Sequence, residues 1–105
     1  IRDTFGDTNM LVTTMDQGRD LAKALADGRV ALMRGHGCLV VGSSIKTAVM
    51  ASIYLQVNAK LLSESLGMGE VTYLSPGEVE LMGQTQVRPL SGDRAWEYWA
   101  RRAGC

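Results

Sequence analysis

The sequence predicts an α/β fold, part of a layered sheet with helices on both sides, and two stretches carry this prediction. Residues 30–33 and 38–41 are short apolar runs, and Gly35 and Gly37 between them allow the chain to turn sharply. This pattern is typical of two buried strands joined by a tight connection. Residues 44–66 then contain neither glycine nor proline and only three charged side chains. Such a stretch predicts a single helix about 35 Å long.

Composition restricts the class of protein. The chain has 105 residues, enough for at most one small domain. Hydrophobic residues make up 46% and charged residues 21%, which is typical of a globular protein. The 11 basic and 11 acidic side chains balance, so the charge favours neither nucleic acid nor a membrane surface as a partner. No apolar run is long enough to span a bilayer, and we expect no signal peptide.

The two cysteines indicate a reducing compartment. Cys38 lies within an apolar run, where we expect a buried thiol, and Cys105 is the last residue. Cysteines placed in this way do not suggest a disulfide framework. A cytoplasmic location is therefore the default expectation.

The chain before the predicted hairpin contains one clear helix signal. Residues 1–8 are expected to form a loop, and the apolar side chains of residues 9–13 predict a short strand. Asp16 is a suitable N-cap for a helix over residues 17–26, and Gly28 lies just past its expected end.

The long helix is expected to begin at Ser43 or Ser44, either of which can cap it, and to end at Gly67. Its apolar side chains extend over more than one face, and a helix with one solvated side would carry more charge. We therefore expect burial on two sides, by its own sheet and by a second surface. That second surface is either another part of a longer chain or a neighbouring subunit.

Two further helices are predicted in the C-terminal part. Residues 75–78 (Ser-Pro-Gly-Glu) combine a capping serine, a proline at the first helical position and a glutamate three residues after the cap. This helix should run to about Thr85, break at residues 87–90, and be followed by a helix over residues 92–103. The aromatic side chains of the last helix are expected to anchor it on the core or on a neighbour. They are Trp96, Tyr98 and Trp99.

His36 and Arg34 are the candidate site residues. His36 is the only histidine, and it lies at the tip where the two predicted strands meet, a rigid position suited to a metal ligand or proton donor. A histidine in a glycine turn is also commonly a surface residue, and one histidine cannot form a metal site alone. Arg34 could bind a carboxylate or phosphate from the same face. The alternative for Arg34 is a surface ion pair with a nearby acid.

Residues 18–75, centred on Met33-Arg34-Gly35-His36-Gly37, resemble the C-terminal half of the class II aldolase/adducin family. The shared order is a helix, a strand running into a His-Gly turn, a second strand and a long apolar helix. The resemblance implies a three-layer sandwich, of which residues 1–105 would be the C-terminal part of a single domain. It also implies that His36 is one of three histidines that hold a divalent metal, Zn²⁺ first and Mn²⁺ second. Many members have asparagine in place of Arg34.

The function implied by the resemblance is that of a metal-dependent carbon–carbon lyase. Such enzymes cleave sugar phosphates by aldol chemistry, or decarboxylate hydroxy-aromatic acids, through a metal-stabilised enolate. Arg34 would bind the small-molecule substrate, and the enzyme would be a homotetramer. The other metal ligands would lie outside this chain, so we expect these residues alone not to bind Zn²⁺ tightly. The alternative function is that of a non-catalytic, adducin-like assembly domain.

Overall fold

The computed structural model describes residues 1–86 and 89–105. It contains helices and one antiparallel pair of strands. In chain order the elements are α1 (Arg2–Phe5), α2 (Met15–Leu25), β1 (Val30–Met33), β2 (Gly37–Val40), α3 (Ile45–Met68), α4 (Pro76–Gln86) and α5 (Pro89–Ala103). The chain divides into two compact units, Ile1–Ala51 and Ser52–Cys105. The mixture of helices and strands agrees with the sequence prediction, whereas the described part contains only this one two-stranded sheet.

The segment before α2 differs from the prediction. Residues 2–5 form a short helix where a loop was expected, and residues 9–13 form no strand. The reason lies in local side chains that hydrogen-bond the backbone. The hydroxyl of Thr8 accepts from the Met10 N–H at 3.1 Å, and the Asn9 side chain accepts from the Leu11 N–H at 3.1 Å. These two N–H groups are therefore not available for pairing with another strand.

Helix α2 begins two residues earlier than predicted because Thr14, and not Asp16, is its N-cap. The Thr14 hydroxyl accepts from the Gln17 N–H at 3.2 Å, and the Gln17 side chain accepts from the Thr14 N–H at 3.2 Å. This reciprocal pair is a capping box. Asp16 lies in the first turn instead, where it pairs with Arg19 at 2.8 Å.

The hairpin confirms the predicted strand positions within one residue. β1 has the predicted bounds and β2 begins one residue early, with Val30 opposite Val40 and Met33 opposite Gly37. The expected burial of the strands was wrong, because no residue of either strand is fully buried and Cys38 is exposed. In the described residues the sheet consists of these two strands alone, so no other strand covers their edges.

Helix α3 is longer than predicted at its C-terminal end. Ser44 caps it, since its hydroxyl accepts from the Thr47 N–H at 3.1 Å, but the helix continues through Gly67 to Met68. Gly69, at φ 153°, follows its last residue. The expected burial of α3 on two sides is not seen, because no residue in it is buried. Over residues 1–86 and 89–105, no helix combines the length and hydropathy needed to cross a membrane.

The second unit confirms the predicted start of α4. The Ser75 N–H donates to the Glu78 carboxylate at 2.7 Å, and the Glu78 N–H donates to the Ser75 hydroxyl at 3.2 Å. The helix ends at Gln86, one residue later than expected. The predicted break falls partly on residues 87 and 88, which lie outside the described residues, and α5 begins at Pro89, earlier than expected.

Trp99, one of the three aromatic side chains expected to anchor α5, contacts a residue of another helix, whereas the described residues contain no buried core. The rings of Trp99 and Tyr54, a residue of α3, meet edge to face with centroids 6.0 Å apart and planes at 72°. This is a favoured geometry for two aromatic side chains.

Candidate functional site

Arg34 and His36 line one cavity of about 630 Å³ in the first unit. The segment before α2, helix α2 and strand β1 contribute the rest of its lining. The cavity is lined by apolar side chains, such as Leu21 and Met33, and by charged ones, such as Asp3. The structure therefore brings the two predicted site residues together on one concave surface.

The turn that carries His36 is shaped by glycine. The His36 N–H donates to the Met33 carbonyl at 3.1 Å, which closes a four-residue turn, and Gly35 at its third position has φ 70°. A positive φ at this position is typical of a type II turn and favours glycine. Gly37, at φ 146°, then starts β2. Backbone geometry therefore positions His36, as the sequence predicted.

The imidazole of His36 is exposed. Within residues 1–86 and 89–105 no group hydrogen-bonds its ring nitrogens. The acceptor that usually orients the second nitrogen of a metal-bound histidine is therefore not supplied by the described part of the chain. In this structure the ring is accessible to an external ligand.

Arg34 precedes His36 by two residues and is also exposed. No carboxylate pairs with its guanidinium among the described residues, so the surface ion pair considered as its alternative role is not seen. Asp7, which also lines the cavity, pairs instead with Arg2, with Nε and Oδ1 3.3 Å apart. Arg34 is thus a cation on the cavity wall whose hydrogen-bonding groups remain available.

The contribution of the first ten residues to this site was not predicted from the sequence. Thr4 donates from its hydroxyl to the Asp20 carboxylate at 3.0 Å, which ties the segment to α2. The turn-forming composition of residues 6–9 is the one local signal that could have indicated a compact segment here.

The described residues do not form a complete metal site. No group of three or more histidine, cysteine, aspartate or glutamate side chains within residues 1–86 and 89–105 is arranged to hold a metal ion. A structural or catalytic zinc site usually has at least three protein ligands. The hairpin offers two possible metal donors, the imidazole of His36 and the thiol of Cys38, and within the described residues neither belongs to a group of three or more such side chains.

Comparison with known proteins identifies the family to which the hairpin and its neighbouring helices belong. The sequence profile of the family described as Class II Aldolase and Adducin N-terminal domain matches residues 2–63, more than half of the chain. The match starts well before residue 18, so the expectation that only the C-terminal half of such a domain is represented is not borne out. The mixture of helices with a two-stranded sheet is compatible with a fragment of such a domain, whose enzymes typically use a divalent metal.

A curated relative is the decarboxylase tropJ of Talaromyces stipitatus. It is 29% identical to this chain over an alignment of 110 residues. The alignment covers 89% of this chain and 41% of the relative. The chain thus spans about two fifths of the length of the curated relative it matches. On the family match over residues 2–63, the chain belongs to the class II aldolase and adducin family.

Proposed function

We propose that this chain is part of a divalent-metal-dependent carbon–carbon lyase in which His36 is a metal ligand and Arg34 binds the substrate. The observation that carries the proposal is the placement of both side chains on one turn and one cavity, with Arg34 free of any acidic partner among the described residues. Family membership and the decarboxylase relative support the reaction class.

His36 is suited to the role of a ligand. Its imidazole is exposed, makes no hydrogen bond within the described residues, and sits on a turn fixed by a backbone hydrogen bond. A neutral imidazole presents a lone pair to a metal without adding charge to the site. We propose Zn²⁺ first and Mn²⁺ second, with the remaining ligands supplied by residues outside those described here.

Arg34 is suited to an anionic substrate. Its planar guanidinium can donate two parallel hydrogen bonds to a carboxylate or a phosphate. A hydroxy-aromatic acid offers the first group and a sugar phosphate the second. Because the relative is named a decarboxylase, we propose decarboxylation of a hydroxy-aromatic acid as the first reaction to test, with aldol cleavage of a sugar phosphate as the second.

The proposal also includes the arrangement of the complete domain and its subunits. We place the hairpin and α3 in a three-layer sandwich within a homotetramer, where further segments or subunits would cover the exposed apolar side chains of α3. The two cysteines are free thiols, and we retain the reducing cytoplasm as the proposed location.

The test is the metal content of the intact gene product, measured by mass spectrometry after removal of loosely bound ions. We expect stoichiometric Zn²⁺ or Mn²⁺ in the parent and its loss in His36→Ala, with circular dichroism unchanged. Asp27→Ala removes an exposed potential ligand in the turn after α2, and it should retain the metal. No metal in the parent or in either variant, with an unchanged oligomer, would instead favour the adducin-like assembly domain.

A further inference from the structure

Met10 is the side chain that contacts the turn carrying His36. Its Sδ lies 3.1 Å, and its Cε 3.8 Å, from the position that a β-carbon on Gly35 would occupy. These are the two nearest heavy atoms to that position, and Met10 lines the same cavity as Arg34 and His36. The thioether therefore fills the space that the missing side chain of Gly35 leaves beside the turn.

The backbone of Met10 is in an unusual conformation. Its φ is 65°, in the left-handed region that residues other than glycine, asparagine and aspartate seldom adopt. Two hydrogen bonds hold the chain around it, from the Met10 N–H to the Thr8 hydroxyl and from the Leu11 N–H to the Asn9 side chain, both 3.1 Å. Strained backbone persists where surrounding contacts determine it, and such residues are frequent near functional sites.

The segment that carries Met10 is itself attached to the rest of the first unit. The hydroxyl of Thr4 donates to Asp20 of α2 at 3.0 Å, six residues before Met10. Beyond Met10, the N–H groups of Thr13 and Thr14 donate to the Gln17 side chain at 2.8 and 3.2 Å. Met10 thus lies between two attachments to α2, and its thioether rests on the hairpin tip.

We propose that Met10 is a positioning residue that orders the turn of the hairpin and thereby fixes Arg34 and His36. Its role for the metal rests on the proposed function, whereas its role for the turn does not. The left-handed backbone at Met10 directs the thioether onto Gly35, and Gly35 permits this contact because it lacks a side chain. A side chain that limits the motion of a ligand-bearing turn raises the affinity of that ligand for a metal.

The test compares Met10→Gly with Met10→Leu. Glycine adopts a left-handed backbone without strain but removes the thioether. Leucine keeps a flexible apolar side chain of similar volume at the same backbone cost. Glycine also gives the backbone more freedom, so Met10→Ala, which removes the thioether but keeps a β-carbon, is measured beside it. Loss of order in both variants follows from the lost contact, and leucine should rescue it.

Hydrogen–deuterium exchange is measured on peptides of the intact gene product that cover β1, the turn and β2. We expect exchange at the turn to be about fivefold faster in Met10→Gly and Met10→Ala and close to the parent rate in Met10→Leu. Peptides covering α4 should be unchanged in all three variants and serve as the internal control. If Met10→Gly raises exchange in α4 as well, the comparison is made between Met10→Ala and Met10→Leu.

The results of these experiments distinguish the role of Met10 at the turn from the proposed metal-dependent function. Unchanged exchange at the turn in either Met10→Gly or Met10→Ala, or equally fast exchange in Met10→Leu, would overturn the role of Met10. If the parent binds metal, the apparent Zn²⁺ affinity should fall about tenfold in Met10→Gly and recover in Met10→Leu. A parent without metal whose turn still responds to Met10→Gly would contradict the proposed function and leave the role of Met10 in place.

Discussion

Asp7 lies on the same cavity as two arginines and pairs with only one of them. Its carboxylate is 3.3 Å from Nε of Arg2, while Arg34 has no carboxylate partner among the described residues. An arginine whose charge is not already paired binds an incoming anion without first breaking an existing contact. This difference makes Arg34 the better candidate for recognition of substrate.

Replacement of Arg34 is therefore expected to affect binding of substrate more than the metal. In Arg34→Ala we expect kcat/KM for an acidic substrate to fall by about tenfold or more, mainly through a higher KM. Arg34→Lys should recover part of this loss, because it keeps the charge without the planar fork. Steady-state kinetics on substrates found among hydroxy-aromatic acids and sugar phosphates measure both effects.

The matched control is Arg29→Ala, which removes an exposed arginine just before β1. It should leave KM and metal content as in the parent. An unchanged KM in a folded Arg34→Ala protein would contradict a role of Arg34 in binding the substrate.

At the scale of elements, α4 owes its first turn to a reciprocal pair of hydrogen bonds. The Ser75 backbone N–H, and then the Ser75 hydroxyl, lower the pKa of the Glu78 carboxyl. A carboxyl whose pKa is lowered by folding stabilises the folded state above its unfolded pKa. That stabilisation is lost as the pH falls through the lowered pKa of the folded state. The neutral form of the side chain also interacts less favourably with the helix dipole.

We therefore expect the stability difference between the parent and Glu78→Gln to depend on pH. The parent should be the more stable protein at pH 7, and the difference should shrink below about pH 4, where the glutamate is increasingly protonated. Thermal unfolding across this pH range measures it. Glu80→Gln, in the same helix, is the control, and a difference that does not vary with pH would contradict the prediction.

Elements whose local signals agree were predictable from sequence, and those whose local signals compete were not. β1 and the start of α4 follow from short apolar runs and from the Ser-Pro-Gly-Glu quartet, which act within a few residues. Residues 9–13 look like a strand in pattern, but side-chain oxygens occupy their N–H groups. The end of α3 was misplaced because Gly67 is tolerated inside a helix that has already formed.

The candidate site was predictable only in part, because one of its contacts joins residues that are far apart in the sequence. His36 and Arg34 were identified from their place in a glycine turn, and the structure places both on one cavity. The contribution of Met10 was not predictable, because it depends on a contact across 25 positions of sequence and on an unusual backbone angle.

At the scale of the molecule, much apolar surface remains exposed. Along α3, Ile45 is 79% and Leu66 57% exposed, and the described residues include no fully buried hydrophobic side chain. Apolar surface of this extent is usually covered by another part of a protein. Since the chain spans 41% of a curated relative, we expect further segments or subunits both to cover these residues and to complete the proposed metal site.

The corresponding prediction is that the 105-residue chain alone does not bind Zn²⁺ tightly. Titration calorimetry should detect no stoichiometric binding, and His36→Ala should behave as the parent does. The two exposed thiols, Cys38 and Cys105, are first replaced by serine, since thiolates bind zinc themselves. A tight, stoichiometric site that disappears with His36 would show that this chain holds the whole ligand set.

The exposed edges of the hairpin affect how the protein behaves in concentrated solution. Within the described residues β1 pairs with β2 alone, so each strand has an outer edge with unpaired N–H and C=O groups. Such edges are templates on which a strand of another molecule can assemble. Leu32, near the turn, is 79% exposed and adds an apolar contact to any strand that arrives there. The same short hairpin that presents His36 to the cavity is thus also a site at which β-sheet aggregation can begin.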